Sequence, residues 1–175
     1  CHDLTKPILL QRLGDVNVET LAYKQAITIN GVQVSLYPAG HVIGSAQVRL
    51  EYKGEVCVIS GDYKVEYDGI SGEFEPVKCH SFVSESTFGL PIYKWKPQSL
   101  IFDDIKNWAA DNLDQGKTTV LVAYSLGKAQ RLIKNLSDAG NIYVHNAIAN
   151  LNERFIAAGV DLPETIRITP DLKKE

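Results

Sequence analysis

The feature that most constrains the fold is a two-residue hydrophobic period between residues 16 and 60. Apolar and polar side chains alternate over residues 32–36, directly after Asn30-Gly31, a dipeptide typical of a tight hairpin turn. The alternation returns over residues 48–59, where Lys53-Gly54 interrupts it. Because successive side chains of a strand point to opposite faces, this pattern predicts an antiparallel meander.

A different pattern begins after residues 91–97, a stretch bounded by two prolines that we interpret as a linker. Helical and strand-like segments alternate from there to the end of the chain. The helical segments are 100–109, 128–139 and 147–158, and the strand-like ones are 118–123, 142–144 and 166–168. Strands separated by helices of this length predict a parallel, doubly wound sheet. We therefore predict an α/β protein with two domains, at residues 1–90 and 91–175.

The composition sets further limits. With 175 residues, of which 45% are hydrophobic and 22% charged, the chain is long enough for a sizeable core. It has neither an apolar run of about 20 residues nor a basic and then apolar leader, so we expect a cytoplasmic protein without a membrane partner. A net charge of −3 creates no general attraction for nucleic acid, so a polyanion would have to be held by a local patch or by metal.

The three cysteines have no Cys-x-x-Cys spacing, which argues against a disulfide framework and against a cysteine zinc site. The chain contains no methionine and begins at Cys1, so we expect either a removed initiator or a piece of a longer protein. Thr5 and Pro7 predict the start of a short helix, and Gly14 predicts its end. His2, just before this helix, is expected to be a surface or capping residue.

Three polar side chains follow predicted strands. His41 lies in the glycine-rich loop 38–47, which breaks the alternation between two strands; Asp62 follows strand 56–59, and Glu85 follows strand 81–84. Loops held at strand ends commonly carry metal ligands and catalytic groups. Each residue also has an ordinary interpretation: a loop histidine, an Asx-turn or cap, and a surface acid. Three such endings in one sheet favour a metal site.

A second candidate site joins the strand-like segment 118–123 to the next helix. Ser125 can cap that helix, Gly127 allows close approach of the backbone, and Lys128 lies in the first turn, a combination that suits a phosphate group. The loop matches neither the Walker A pattern nor Gly-x-Gly-x-x-Gly. The alternative is an ordinary capped helix start.

The motifs together resemble one family. Residues 38–45 (PAGHVIGS) and 60–63 (SGDY) resemble the metallo-β-lactamase-fold nucleases, and residues 85–89 (ESTFG) and 123–130 (AYSLGKAQ) resemble motifs of their β-CASP branch. Residues 88–93 and 142–145 are most similar to bacterial ligase-associated DNA exonucleases, also described as mRNA 3′-end processing factors. The resemblance spans nearly the whole chain. It implies part of an αββα sandwich in residues 1–90 and part of a Rossmann-like β-CASP domain in residues 91–175.

The resemblance also implies a ligand set. In this family two divalent ions, zinc or alternatively manganese, are held by an N-terminal His-x-His-x-Asp-His motif, by residues equivalent to His41 and Asp62, with Asp62 bridging, and by a histidine beyond the inserted domain. Glu85 would orient a ligand or transfer a proton, and Ser125, Gly127 and Lys128 would hold substrate phosphates. The His-x-His-x-Asp-His motif does not occur in these 175 residues, and no fitting histidine follows residue 145. The chain is therefore expected to be the middle of a longer enzyme, with weak metal binding and no nuclease activity of its own.

The predicted function of the intact protein is metal-dependent hydrolysis of phosphodiesters in nucleic acid. A DNA exonuclease in DNA repair, functionally linked to a DNA ligase, is favoured over an RNA-processing ribonuclease. A non-catalytic nucleic-acid-binding module is an alternative from another class. Hydrolysis of a small thioester or lactam is disfavoured, because the second domain resembles the part with which nucleases clamp a polymer.

Overall fold

Residues 1–171 are described by a computed structural model, and the chain divides into two units, Cys1–Tyr93 and Lys94–Glu175. Residues 172–175, the end of the predicted second domain, lie outside the described residues. That the first unit is metallo-β-lactamase-like and the second β-CASP-like stays a prediction.

The first unit is built on a five-stranded sheet. A 3-10 turn at Asp3–Thr5 leads into helix α1, and the strands follow: α1 Lys6–Leu13, β1 Ala26–Ile29, β2 Val32–Pro38, β3 Ala46–Tyr52, β4 Glu55–Ile59 and β5 Ser81–Val83. The strands are ordered as they are in the chain; β1 to β4 pair antiparallel, and β5 pairs parallel with β4. The predicted meander is confirmed.

Two tight turns fix the register of this sheet. Asn30 and Gly31 have φ angles of 50° and 82°, and Lys53 and Gly54 have φ angles of 50° and 84°. Positive φ at both central residues is the requirement of a type I′ turn, whose twist matches that of the flanking strands. Each turn therefore sets which side chains of its two strands face the core.

The segment before the sheet packs against the loop that follows β2. Thr5 stands at the N-cap position as predicted, but its hydroxyl donates to the Gly44 carbonyl (2.8 Å) instead of capping α1. His2 caps the 3-10 turn and is buried rather than on the surface, stacked on Tyr23 with ring centroids 3.7 Å apart. Burial lowers the pKa of His2 and raises the pKa of Tyr23 to about 12. The Tyr23 hydroxyl donates to the Ser45 carbonyl (2.9 Å), which ties this segment to the loop.

The second unit alternates helices and strands. Its elements are α2 Gln98–Asp114, α3 Lys128–Leu136, β6 Tyr143–Val144, α4 Asn146–Ala157 and β7 Ile166–Arg167. β6 and β7 pair parallel, as expected for strands joined through a helix. Ile133 of α3, Val144 of β6 and Ala149 of α4 form a buried cluster between them. The predicted α/β class is confirmed.

One predicted strand is wrong. Residues 118–123 are not part of either sheet in the described part of the chain, and Val122 is 93% exposed. The apolar run has the composition of a buried strand, but a strand also needs a neighbour that offers backbone hydrogen bonds. β6 pairs with β7 instead, so the described sheet of this unit has two strands. Within residues 1–171, no helix combines the length and the apolar character that crossing a membrane requires.

Candidate metal centre

The strand directions bring three predicted site residues to one edge of the sheet. β2 and β4 both pair antiparallel with β3, so they run in the same direction, and β5 runs parallel to β4. The carboxyl ends of these three strands therefore lie at the same edge. His41, Asp62 and Glu85 follow the three strands in turn. Across the sheet, the three residues therefore follow one another in the same order as in the sequence.

His41 and Asp62 are in contact. Nε2 of His41 lies 3.4 Å from Oδ2 of Asp62, and the two side chains are 43% and 61% exposed. Both groups are therefore accessible to solvent. The pair can hold a cation jointly or, when His41 is protonated, form an ion pair.

The backbone of the His41 loop is fixed by Ser45. The Ser45 hydroxyl oxygen accepts hydrogen bonds from the amides of His41 (3.1 Å) and Val42 (3.2 Å). The Ser45 amide donates to the Val42 carbonyl, and the Ala39 amide donates to the Ser45 carbonyl. These hydrogen bonds hold the backbone of His41 in one conformation. Sequence reasoning missed this role, although serine side chains commonly bond to backbone groups three or four residues away.

Two glycines allow the loop to pack closely. Gly40 has a φ of 70°, and a β-carbon at this position would overlap the backbone of Lys64. The Lys64 amide donates to the Ala39 carbonyl (2.9 Å), so the segment that carries Asp62 lies directly on the His41 loop. Gly44, with a φ of 79°, also leaves little room, because a β-carbon there would lie 2.9 Å from the Thr5 hydroxyl oxygen. The glycines around His41 therefore serve packing at both ends of the loop.

Glu85 is held by Thr87. One Glu85 carboxylate oxygen accepts from the Thr87 amide (2.7 Å). The pKa of Glu85 lies below its ordinary value, first because of the hydrogen bond from the Thr87 side chain, then because of the amide and, to a smaller extent, the charge of His41. Glu85 is therefore an ionised acceptor near neutral pH. Thr87 is a second residue that sequence reasoning missed.

The donor set fits part of a metal site. A histidine nitrogen and a carboxylate are ligands that zinc accepts, but open zinc sites use three protein ligands plus water. Among residues 1–171, no group of three or more His, Cys, Asp or Glu side chains is placed to hold a metal ion. The ring nitrogens Nδ1 of His2, His80 and His145 each accept a hydrogen bond from a nearby backbone amide instead. His41 and Asp62 would account for two ligands of the set that the family resemblance implies, and their role as ligands stays a prediction.

The second candidate site lies apart from these residues in the chain, at the start of α3. Lys128 is the first residue of the helix, and its ammonium group lies 5.6 Å from the ring centroid of Tyr124. Gly127 is buried with a φ of 86°, which agrees with a tight turn into α3. The expectation that Ser125 caps the helix is wrong, because the Gln130 side chain accepts from the Gly127 amide (2.7 Å) in its place. Ser125 instead offers its carbonyl to Gln130 (3.0 Å).

The first unit therefore presents a histidine–carboxylate pair of the kind that metal sites use, and the second an α/β unit with a lysine at a helix start. In a comparison with known proteins, no family model matches the chain. Over 132 residues it is 29% identical to a protein from Opitutus terrae named "Probable DNA ligase". The matched residues make up 74% of this chain and 13% of the relative.

Two eukaryotic relatives are similarly close. Over 123 residues the chain is 30% identical to "Endoribonuclease YSH1" of Yarrowia lipolytica (69% of this chain, 15% of the relative). Over 123 residues it is 26% identical to "Cleavage and polyadenylation specificity factor subunit 3" of Dictyostelium discoideum (69% and 16%). These similarities to nucleases agree with the predicted resemblance to the β-CASP branch of the metallo-β-lactamase-fold nucleases. The chain spans only 13% to 16% of the length of the relatives it matches.

Proposed function

We propose that this chain is part of a metal-dependent phosphodiesterase that cleaves nucleic acid. The observation that carries the proposal is the 3.4 Å approach of His41 to Asp62 at the sheet edge that Glu85 also reaches. His41 and Asp62 come from two different strand ends and meet there, and Glu85 follows a third strand that ends at the same edge. The relatives named as endoribonucleases support hydrolysis of a phosphodiester as the reaction.

Each residue has a separate task in this proposal. His41 offers Nε2 and Asp62 offers its carboxylate to divalent ions, of which zinc is favoured and manganese is the alternative. When bound, such an ion supplies the Lewis acidity that lowers the pKa of a water molecule and neutralises charge on the phosphodiester. Glu85, kept ionised by Thr87, accepts a hydrogen bond or a proton at the edge of the site. Ser45 keeps the His41 backbone in place throughout.

Substrate phosphates are assigned to the start of α3. Lys128 contributes its charge. Gly127, which is buried and has no side chain, leaves the start of the helix open to a phosphate. Ser125 contributes its hydroxyl, which can donate to a phosphate oxygen, while its carbonyl accepts from Gln130. The Gly127 amide is used by the same glutamine, so the lysine is the main contact in this assignment.

DNA is the favoured substrate, as an exonuclease in repair that works with a DNA ligase. The similarity to a protein named as a DNA ligase supports this choice. RNA processing is the second candidate, because the other relatives described above carry names from that process. The cytoplasmic location predicted from the sequence is part of the proposal.

The test uses the complete product of the gene that encodes this chain. The purified protein is loaded with zinc or manganese and incubated with single-stranded DNA, duplex DNA and RNA, each labelled at one end. Stepwise shortening of DNA supports the exonuclease, and internal cuts in RNA support the second candidate. Binding of all three without cleavage would favour a non-catalytic module and overturn the proposal, as would a complete gene sequence without a His-x-His-x-Asp-His motif.

A further inference from the structure

Gln47 of β3 has one end of its side chain fully engaged and the other end without a partner. It is 0% exposed, and its Nε2 donates to the carbonyls of Pro38 (2.9 Å) and Glu75 (2.8 Å). These two acceptors use both amide hydrogens and so fix which end of the group is nitrogen. The remaining atom, Oε1, is buried and has no hydrogen-bond partner among the described residues.

Ser60 carries a second such atom. It is the residue after β4, it is 3% exposed, and its amide donates to the Val83 carbonyl (2.7 Å) at the end of β5. Its hydroxyl oxygen is buried and likewise finds no partner in the part of the chain that the structure describes. Buried polar groups are rarely left unpaired, because each has given up its hydrogen bonds to water.

The strand register places these two residues side by side. Val48 of β3 lies opposite Ile59 of β4, so the next position along both strands brings Gln47 opposite Ser60. Directly opposite residues of an antiparallel pair point to the same face, with their β-carbons about 5 Å apart. A hydroxyl that needs an acceptor therefore lies beside a carbonyl oxygen that needs a donor.

We propose that one ordered water links the two atoms, accepting from the Ser60 hydroxyl and donating to Gln47 Oε1, and that this buried link positions the two metal ligands. The Gln47 side chain donates to the carbonyl of Pro38, at the base of the His41 loop, and Ser60 lies at the base of the Asp62 loop. The link thus joins the bases of the two loops beneath the candidate site. The role of positioning residue for His41 and Asp62 rests on the proposed function; the link itself does not.

The first experiment is a double-mutant cycle on the chain, with Ser60→Ala, Gln47→Met and the two combined. Unfolding in urea gives the equilibrium constant of each variant. Ser60→Ala should raise the unfolding constant about fivefold in the wild-type background, the effect of one net hydrogen bond, and much less in the Gln47→Met background. Ser60→Thr, which keeps the hydroxyl, should restore the wild-type value. Additive effects would overturn the link.

A second measurement covers the case in which Gln47→Met does not fold. The side-chain amide signals of Gln47 in NMR spectra should shift in Ser60→Ala and return in Ser60→Thr. Ser137→Ala serves as the matched control, because the Ser137 hydroxyl is exposed and donates to the Lys134 carbonyl in the other unit. Gln47 signals that are unchanged in Ser60→Ala would also overturn the link.

The positioning role has its own readout, taken without metal. In Ser60→Ala the ring signals of His41 and the amide signal of Asp62 should move, whereas the ring signals of His80 should not. If Ser60 and Gln47 are coupled but the His41 and Asp62 signals do not move, the link is purely structural and does not position these two residues. A zinc titration of the wild-type chain reports on the proposed function separately, so failure of one proposal is distinguishable from failure of the other.

Discussion

The imidazole of His41 and the carboxylate of Asp62 meet at 3.4 Å although they follow strands that are not neighbours, β2 and β4. β3 lies between these strands, so the contact is made by the loops that extend beyond the sheet edge. The hydrogen bond from the Lys64 amide to the Ala39 carbonyl joins those loops. The candidate site is therefore a property of loop packing on a regular sheet.

Removal of either ligand should weaken zinc binding. With His41 and Asp62 as the two proposed ligands, we expect weak zinc binding. The affinity should fall at least about tenfold in His41→Ala and Asp62→Asn, since loss of a residue that only hydrogen-bonds to a metal ligand already has an effect of that size. Calorimetric zinc titration measures it. His80→Ala is the matched control, since Nδ1 of His80 lies 3.6 Å from Glu55 in a second exposed histidine–acid pair. Stoichiometric submicromolar binding, or an equal loss in His80→Ala, would contradict the prediction.

Gly40→Ala should destabilise the first unit far more than Gly54→Ala. Both glycines have positive φ, 70° and 84°, which costs alanine roughly 1–2 kcal/mol. A β-carbon at Gly54 meets nothing within 4 Å, whereas one at Gly40 overlaps the Lys64 carbonyl. Urea unfolding should show the backbone cost alone at Gly54 and at least about 2 kcal/mol more at Gly40, an amount typical of overpacking. Similar losses of stability in the two variants would show that the loop around Gly40 shifts to make room for the added β-carbon.

The sequence predicts the sheet and the shared edge because both follow from short-range rules. Asn30-Gly31 and Lys53-Gly54 set the hairpins, and alternation sets the faces, so the direction of each strand follows. The parts that the sequence does not predict depend on three-dimensional neighbours. Residues 118–123 look like a buried strand because apolarity does not report whether a pairing partner is present. Ser45 and Thr87 look like ordinary polar residues, because which amide a hydroxyl meets depends on the path of the loop.

Ser45→Ala should loosen the His41 loop without unfolding the sheet. The substitution removes the acceptor of the His41 and Val42 amides, so both amides should exchange with solvent at least about fivefold faster, as the loss of one net hydrogen bond predicts. Hydrogen exchange followed by NMR gives the rates residue by residue. Ser45→Thr keeps the hydroxyl and should exchange as the wild type does. Unchanged rates in Ser45→Ala would mean that other contacts hold the loop.

Lys128→Gln should weaken binding of single-stranded nucleic acid. One lost phosphate contact should reduce the slope of log K against log salt by about 0.7. Fluorescence anisotropy with a labelled oligonucleotide at several salt concentrations measures the slope. Lys96→Gln is the control, because Lys96 lies 3.6 Å from Asp104 and is not assigned to the site. Equal slopes for both variants would remove Lys128 from the proposed phosphate contact.

Thr87→Val should raise the pKa of Glu85 toward its ordinary value of 4.5, because the side-chain hydrogen bond from Thr87 is the largest cause of the lowered pKa. A carboxyl group with a lowered pKa in the folded state stabilises the fold above its ordinary pKa and loses this contribution as pH falls through the folded value. The stability difference between wild type and Thr87→Val should therefore be present at pH 7 and vanish in strong acid. A carbon-13 NMR titration of the Glu85 carboxyl group measures the pKa directly. In Thr87→Ser, which keeps the hydroxyl, the pKa of Glu85 should equal that of the wild type. An unchanged pKa of Glu85 in Thr87→Val would show that the amide of residue 87 alone lowers it.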